Sequence, residues 1–530
     1  MKKIFKYLML SGIVIFSSSC KKYLDINTNP NTLTSATPGL ILPQAIVGAA
    51  SISNTFSLSL ADFSGARANA GGFGGFGSVV TYDFGTSDYQ GLWTSTYDNA
   101  QDFQYVIDNT SADATLVFSN SIARIMKSFC FERLVNQFND VPYSQALKGT
   151  DVLSPKYDNG VDVYKACISE LDKAIAAITT GQASAASSKV IASADPLFGG
   201  NMDNWKKFAN TIKLRMLIKM AGVTNLQSYT TSAFASFNTT IGVISSDAIV
   251  QPGYVKTDRP NPIYNSIGFS TTGTNTTTSR IPTKWIYSFY DGNKLSDAFR
   301  GKVIYRGFPS NIINQLGDES ANVPAASSAG SAWITGGAAD GVAGAPLYGV
   351  VKGPTMGTPL ILTTEANFLL AEAYARGYLM GNDEAAFYNG ITQSFNYLYK
   401  DYTNAVPSTK DVTTDVASYR SLNSTSSLVN YSLATTLDLK IEAIITQKYI
   451  ALNMIANDET FNEFRRTTYP KIVNNSSNAL ATFASLKSIS THVDRLPTRV
   501  LYPQQEYNLN PTNVPGNINK FSSLIFWDPN

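Results

Sequence analysis

In the stretch VDVYKACISELDKAIAAI, Val161, Tyr164, Cys167, Ile168, Leu171, Ala174, Ile175 and Ile178 recur every three or four positions, with acids and lysines between them. Apolar residues at that spacing share one face of an α-helix, and such a face has to be buried against another element. The same period recurs at 93–108, 121–138, 204–222, 365–379, 384–402 and 436–455. These segments follow one another closely, as antiparallel helix pairs do. The expected fold is therefore mainly all-α. At 530 residues, 44% of them hydrophobic, the chain can bury one large core or two ordinary ones.

The pair at 365–402 carries more detail. LLAEAYARG followed by AAFYNGITQSF puts Ala, Tyr and Gly where tetratricopeptide helix pairs interlock. The tetratricopeptide period of about 34 residues is not kept elsewhere, which excludes a regular solenoid and leaves an irregular stack of helix pairs. Segments rich in Gly, Ser and Thr interrupt the stack at 70–78, 266–280 and 308–347. They hold too many breakers for helix, and insertions this long usually serve function or movement.

The N-terminus reads as a processing signal. Lys2, Lys3 and Lys6 precede an apolar run from Tyr7 to Phe16, then Ser17, Ser18, Ser19 and Cys20. That is the layout of a secretory leader, too short to span a bilayer, which takes about 20 residues. No later stretch reaches that length without polar interruption, so the mature chain is not expected to cross a membrane. A cysteine directly after small residues resembles a bacterial lipobox, although Ser17 stands where Leu is usual. On that reading residues 1–19 are a signal peptide, Cys20 is acylated by fatty chains of the palmitate kind, and 20–38 form a tether. The body is then 39–530.

Charge and chemistry narrow the function further. Removing the three leader lysines from 41 basic side chains leaves 38 against 39 acidic ones, with no basic run longer than a pair. This carries no footprint for nucleic acid. Only 15% of residues are charged, and Asn, Thr, Ser and Gly take the surface instead, as suits an extracytoplasmic protein. Cys130 and Cys167 lie on helical stretches, either as two small buried hydrophobes or as a bridge. A single histidine, His492, rules out HExxH and three-histidine metal sites. No nucleophile elbow, P-loop, dinucleotide fingerprint or EF-hand occurs. No cofactor and no enzymatic activity are expected, and no metal is assigned.

Several stretches, in order, resemble the SusD/RagB-like family of outer-membrane nutrient-binding lipoproteins, in its SusD-like branch. They are KKYLDINTNPN after Cys20, NDVPYSQAL, PKYDNGVDVYKACISELDKAI and DPLFGGNMDNWKKFANTIKLRM in the first half. EANFLLAEAYARG, IEAIITQKYIALN, FNEFRRTTYP and RLPTRVLYPQQEYNLNPTNV follow in the second. The resemblance implies a single SusD-like domain on a tetratricopeptide-like scaffold, lipid-anchored in the outer membrane and facing the cell surface. It further implies that the protein binds oligosaccharide and delivers it to a SusC-like TonB-dependent transporter, with peptide or another non-glycan nutrient as the alternative cargo.

Ligand residues are sought where aromatic side chains stand on loops. AGGFGGFGSVVTYDFG sets Phe73 and Phe76 among glycines, outside any regular element that would bury them. Flat apolar faces of this kind stack on sugar rings or fill a peptide pocket. Arg67 and Asn69 precede them and could donate to hydroxyls or a carboxylate. Trp333, in SAGSAWITGGAADG, is the other candidate. A loop folded back on the scaffold is the competing reading. Arg465 and Arg466 suit an anion, but pairing with Glu463 or capping helix carbonyls is the expected role. Trp205 is expected in the core.

Overall fold

The computed structural model describes residues 37–272, 274–276, 278–325 and 348–530. The leader, Cys20 and Trp333 lie outside the described residues. The helices that build the scaffold and its rim begin with α1 (Pro38–Leu60), α2 (Gln90–Thr110), α3 (Val117–Phe138), α4 (Gly160–Gln182), α5 (Met202–Ala221) and α6 (Gln227–Ala235). After a stretch of loops, short strands and the short helices Pro262–Ile267, Lys284–Tyr287 and Ala298–Ile304 come α7 (Thr363–Ala375), α8 (Asp383–Tyr399), α9 (Val412–Leu422), α10 (Leu437–Leu452), α11 (Asn457–Thr467) and α12 (Gln504–Leu509). Every periodic segment of the sequence is a helix here. Several start on side chains that take up orphan backbone donors: Asn159 accepts from Val161 N, Asn201 from Asn204 N, Asn382 from Ala385 N and Thr436 from Leu439 N.

Sequence neighbours pack as pairs, α1 on α2, α2 on α3, α3 on α4, α4 on α5 and α7 on α8. In the last pair the sequence-level reason is visible. A Cβ at Gly390 would stand 2.6 Å from the Phe368 ring, and Thr364 Oγ1 donates to Gly390 O at 2.7 Å, so only glycine lets the helices close. α1 is long and apolar enough to cross a bilayer by length and composition. Its buried face of Leu42, Ala45, Ile46, Ala49, Ala50 and Phe56 instead faces protein, and Asn99 Nδ2 reaches across from α2 to Ala45 O at 2.9 Å. Trp205 is fully buried, its indole donating to Asp195 Oδ2 at 2.8 Å.

Strands are few and short. β1 (Arg67–Asn69) pairs antiparallel with β3 (Arg280–Pro282), and β2 (Ala248–Val250) with β4 (Thr358–Ile361), across an irregularity between Ala248 and Ile249. The β1–β3 register sets Arg67 opposite Pro282 and Asn69 opposite Arg280. This ribbon roots the glycine-rich loop on the helical body.

α11 departs from the pattern. Its sequence, NDETFNEFRRT, reads as a solvated surface helix, yet every residue from Asn457 to Arg466 is buried. Buried charges are costly unless paired and hydrogen-bonded, and most of these are, although Arg133 Nε and Nη1, Asp458 Oδ1, Glu459 Oε1 and Arg465 Nε keep no hydrogen-bond partner. Arg466 grips both oxygens of Glu372 at 2.8 and 2.7 Å and donates Nε to Glu463 at 3.0 Å. Lys448 meets Glu463 at 3.0 Å, Lys219 meets Glu459 at 3.0 Å and Arg133 meets Asp458 at 3.4 Å. Arg465 donates to the carbonyls of Thr498 and Asn136, both at 2.8 Å. The expected structural role of Arg465 and Arg466 is thus the observed one.

Candidate ligand-binding rim

The loop after β1 is fastened at both ends and open at its crest. Ala70 N donates to Ser279 O at 3.1 Å and Gly71 N to Pro324 O at 2.9 Å. Gly71 lies so close to that neighbouring strand of chain that a Cβ would fall 1.8 Å from Val323 O. Beyond it, Phe76 N donates to Glu319 Oε1 at 3.2 Å, and Glu319 is paired with Lys487. Among the described residues nothing lies within 4 Å of where a Cβ would project from Gly74 or Gly75 between these fastenings, or from Gly77 just after them. Phe73 stands there 43% exposed. Phe76 is half-buried against the core.

Beneath the loop two guanidiniums share one carboxylate. Arg67 donates Nε to Asp62 Oδ1 at 3.1 Å and Nη2 to Asp62 Oδ2 at 3.3 Å and Leu58 O at 2.7 Å. Arg280 reaches the same Oδ1 only at 3.6 Å, from the opposite strand. Its guanidinium carbon sits 4.7 Å from the Phe76 ring centre, a cation–π contact. Burial lowers the Arg280 pKa, Asp62 opposes that, and Arg67 adds to it. Below lies an aromatic floor in which Phe63 packs on Tyr82, Phe84 and Tyr89. Tyr82 and Tyr89 both hold left-handed backbone angles, φ 60° and 57°. Non-glycine residues take that region rarely and at a cost, and such strain gathers near functional surfaces.

The four described candidates therefore share one corner of the molecule but not one orientation. Phe73 and Phe76 belong to the open loop. Asn69 is buried, with Nδ2 donating to Asp318 O at 2.7 Å and Oδ1 accepting from Gly317 N at 2.9 Å. Arg67 is likewise engaged by its neighbours. Sequence reasoning missed Arg280, because no local pattern says which residue lies across the ribbon from Asn69. The one available signal was the breaker-rich 266–280 segment that ends there.

Two other hollows have plainer explanations. One of ≈ 530 Å³ lies between the start of α2, the 142–155 loop and α12. Its largest aromatic, Trp93, is only 5% exposed, packed by Phe138, Tyr157 and Tyr502, and so offers little face to a ligand. Another of ≈ 420 Å³ contains Lys352, whose amine donates to Tyr397 O at 2.6 Å and to Lys400 O at the end of α8. Burial pushes that amine down to about 7. Among the described residues, no group of three or more His, Cys, Asp and Glu is placed to hold a metal.

A family model described as SusD-like, starch-binding and associating with the outer membrane matches residues 30–503. The chain belongs to the SusD-like family. No curated protein matches it by sequence. Among solved structures it resembles a SusD homolog from Bacteroides fragilis, with a TM-score of 0.66 and 21% identity over 93% of this chain and all (100%) of that one. A chitin-binding protein gives 0.66 and 22%, over 93% and 100%. A chitin-binding SusD homolog from Flavobacterium johnsoniae gives 0.66 and 19%, over 92% and 99%. The SusD-like fold thus accounts for the helix pairs and their long insertions, while leaving the ligand of this member to its own side chains.

Proposed function

We propose that this SusD-like protein is a cell-surface lipoprotein, anchored through Cys20, that binds an oligosaccharide and delivers it to a SusC-like TonB-dependent transporter without acting on it chemically. The observation that carries the saccharide reading is the loop crest: Phe73 stands exposed between open glycines, with half-buried Phe76 beside a guanidinium. Sugar recognition calls for that combination of a flat apolar face and nearby fixed donors. Two relatives of the same fold are named as chitin-binding, which supports a saccharide over a peptide.

In this reading Phe73, Phe76 and Trp333 touch the ligand, while Arg67 and Asn69 hold the loop that presents them. Calorimetry with a panel of oligosaccharides and peptides tests it. Phe73→Ala and Trp333→Ala should each weaken saccharide binding by about tenfold or more, in the range of a lost stacking contact. Unchanged affinity in both variants, or a wild type that binds peptides alone, would overturn the assignment. Delivery is tested separately, by co-purification of the transporter with the lipoprotein from solubilised outer membranes.

A further inference from the structure

Arg280 is a half-buried, poorly satisfied cation: like the buried Arg133 and Arg465 it has an Nε without a hydrogen-bond partner, but unlike them it lies beside the aromatic loop and keeps part of its side chain in solvent. Arg215, Arg300 and Arg466 each have a carboxylate within 3.1 Å, whereas Arg280 has only Asp62 Oδ1 at 3.6 Å, an oxygen that Arg67 already holds at 3.1 Å. Its Nε is sealed from water with no hydrogen-bond partner. The nearby Glu319 is matched by Lys487. Two guanidiniums against one carboxylate leave one positive charge beneath the loop crest. The Arg280 side chain keeps 18% of its surface open to solvent.

A half-sealed cation without a proper acceptor costs stability, since burial without a hydrogen-bonded counter-charge is unfavourable. An incoming oxyanion would relieve that cost, and a planar guanidinium prefers a carboxylate, which it can take with two parallel hydrogen bonds. The Phe76 ring over Arg280 restricts the guanidinium plane and so pre-orients the fork.

We infer that Arg280 selects a carboxylate-bearing saccharide, a uronic acid unit seated between Phe73 and Phe76. This rests on the saccharide reading above and deepens it from glycan to acidic glycan.

The test sets each uronate polysaccharide, pectate, alginate and hyaluronan, beside its own carboxyl-reduced form on one array, with neutral glycans and acidic peptides alongside. The wild type should bind at least one acidic form about tenfold or more tightly than its reduced twin, and lose that margin as salt rises. Arg280→Gln should erase the margin without lowering Tm, because it removes a poorly compensated buried charge. Arg280→Lys, keeping charge but not the fork, should retain part of it. Binding of neutral or reduced glycans with no preference for acid overturns this inference and leaves the saccharide reading standing, as does a margin that Arg280→Gln leaves intact. Binding of peptides alone, or of nothing on the array, overturns both.

Discussion

Asn69 uses both ends of its amide on backbone that comes from far along the chain, Asp318 O and Gly317 N. Removing the amide strands a buried donor and a buried acceptor, so Asn69→Ala should cost about 1–3 kcal/mol, read as a lower Tm. Phe73→Ala, at an exposed crest, should leave stability within about 0.5 kcal/mol of wild type. A Tm loss in Phe73→Ala equal to that in Asn69→Ala would show that the loop is packed, not presented. The thiols allow a second check at this scale. Cys130 and Cys167 are free and buried, and burial pushes both up to about 12. In a Cys20→Ala chain neither should react with a thiol reagent at neutral pH until denaturant opens the core, because only the thiolate attacks. Rapid labelling of the native chain would contradict that burial. Individual side chains are what the sequence discloses least. Arg67 and Asn69 stand next to the loop in sequence but face inward, while Arg280, more than two hundred residues away, comes beside Phe76 through the ribbon register.

α11 shows why an element can be present in a sequence without its environment being legible. Its polar residues give no buried apolar stripe, and their partners, Lys219 on α5, Glu372 on α7 and Lys448 on α10, stand on three separate helices elsewhere in the chain. Pairing at that distance leaves no local period to detect. The same partners dictate how the element fails. Arg466→Ala would leave Glu372 and Glu463 buried without their shared cation, a loss of about 3–5 kcal/mol. Replacing it by Lys should recover little, since the two-oxygen grip on Glu372 needs the fork. The network also sets an acid limit. Burial alone would raise Glu372, but Arg466 and Arg376 outweigh it and hold the carboxyl at about 2, below its ordinary 4.5. Lys219, Arg215 and Lys448 likewise overcome burial and hold Glu459 well down. A carboxyl lowered by folding contributes stability that is complete above its unfolded pKa and disappears as pH falls toward the folded value. Glu372 and Glu459 should therefore make Tm fall below about pH 4, a fall blunted by Glu365 and Asp458 of the same network, whose carboxyls burial raises. A Tm unchanged down to about pH 3 would mean that the network contributes no such linkage.

For the molecule as a whole, the helical scaffold was legible because burial of one face writes itself into the chain every three to four residues, as in α4 and α8. α1 was not, since its buried side is lined by Ala, Ser and Asn that blur the stripe. Where it sits matters for the proposed anchoring. α1 begins at Pro38 and locks onto α2 and α11, through Asn99 to Ala45 O and through Ser57 Oγ, which accepts from Asn457 N at 3.1 Å. A pull transmitted from a lipid on Cys20 would thus arrive at a helix built into the core, not at a frayed end. The anchor and the binding rim are expected to be separable, because the described contacts that shape the rim link residues 58–89, 279–325 and 487–489 to one another. Replacing Cys20 by Ala should move the protein out of the outer-membrane fraction and remove incorporation of a labelled fatty acid, while the purified chain keeps its affinity for ligand and its Tm. A variant that stays in the membrane fraction would place the anchor elsewhere, and one that leaves it but loses affinity would tie the tether to the rim.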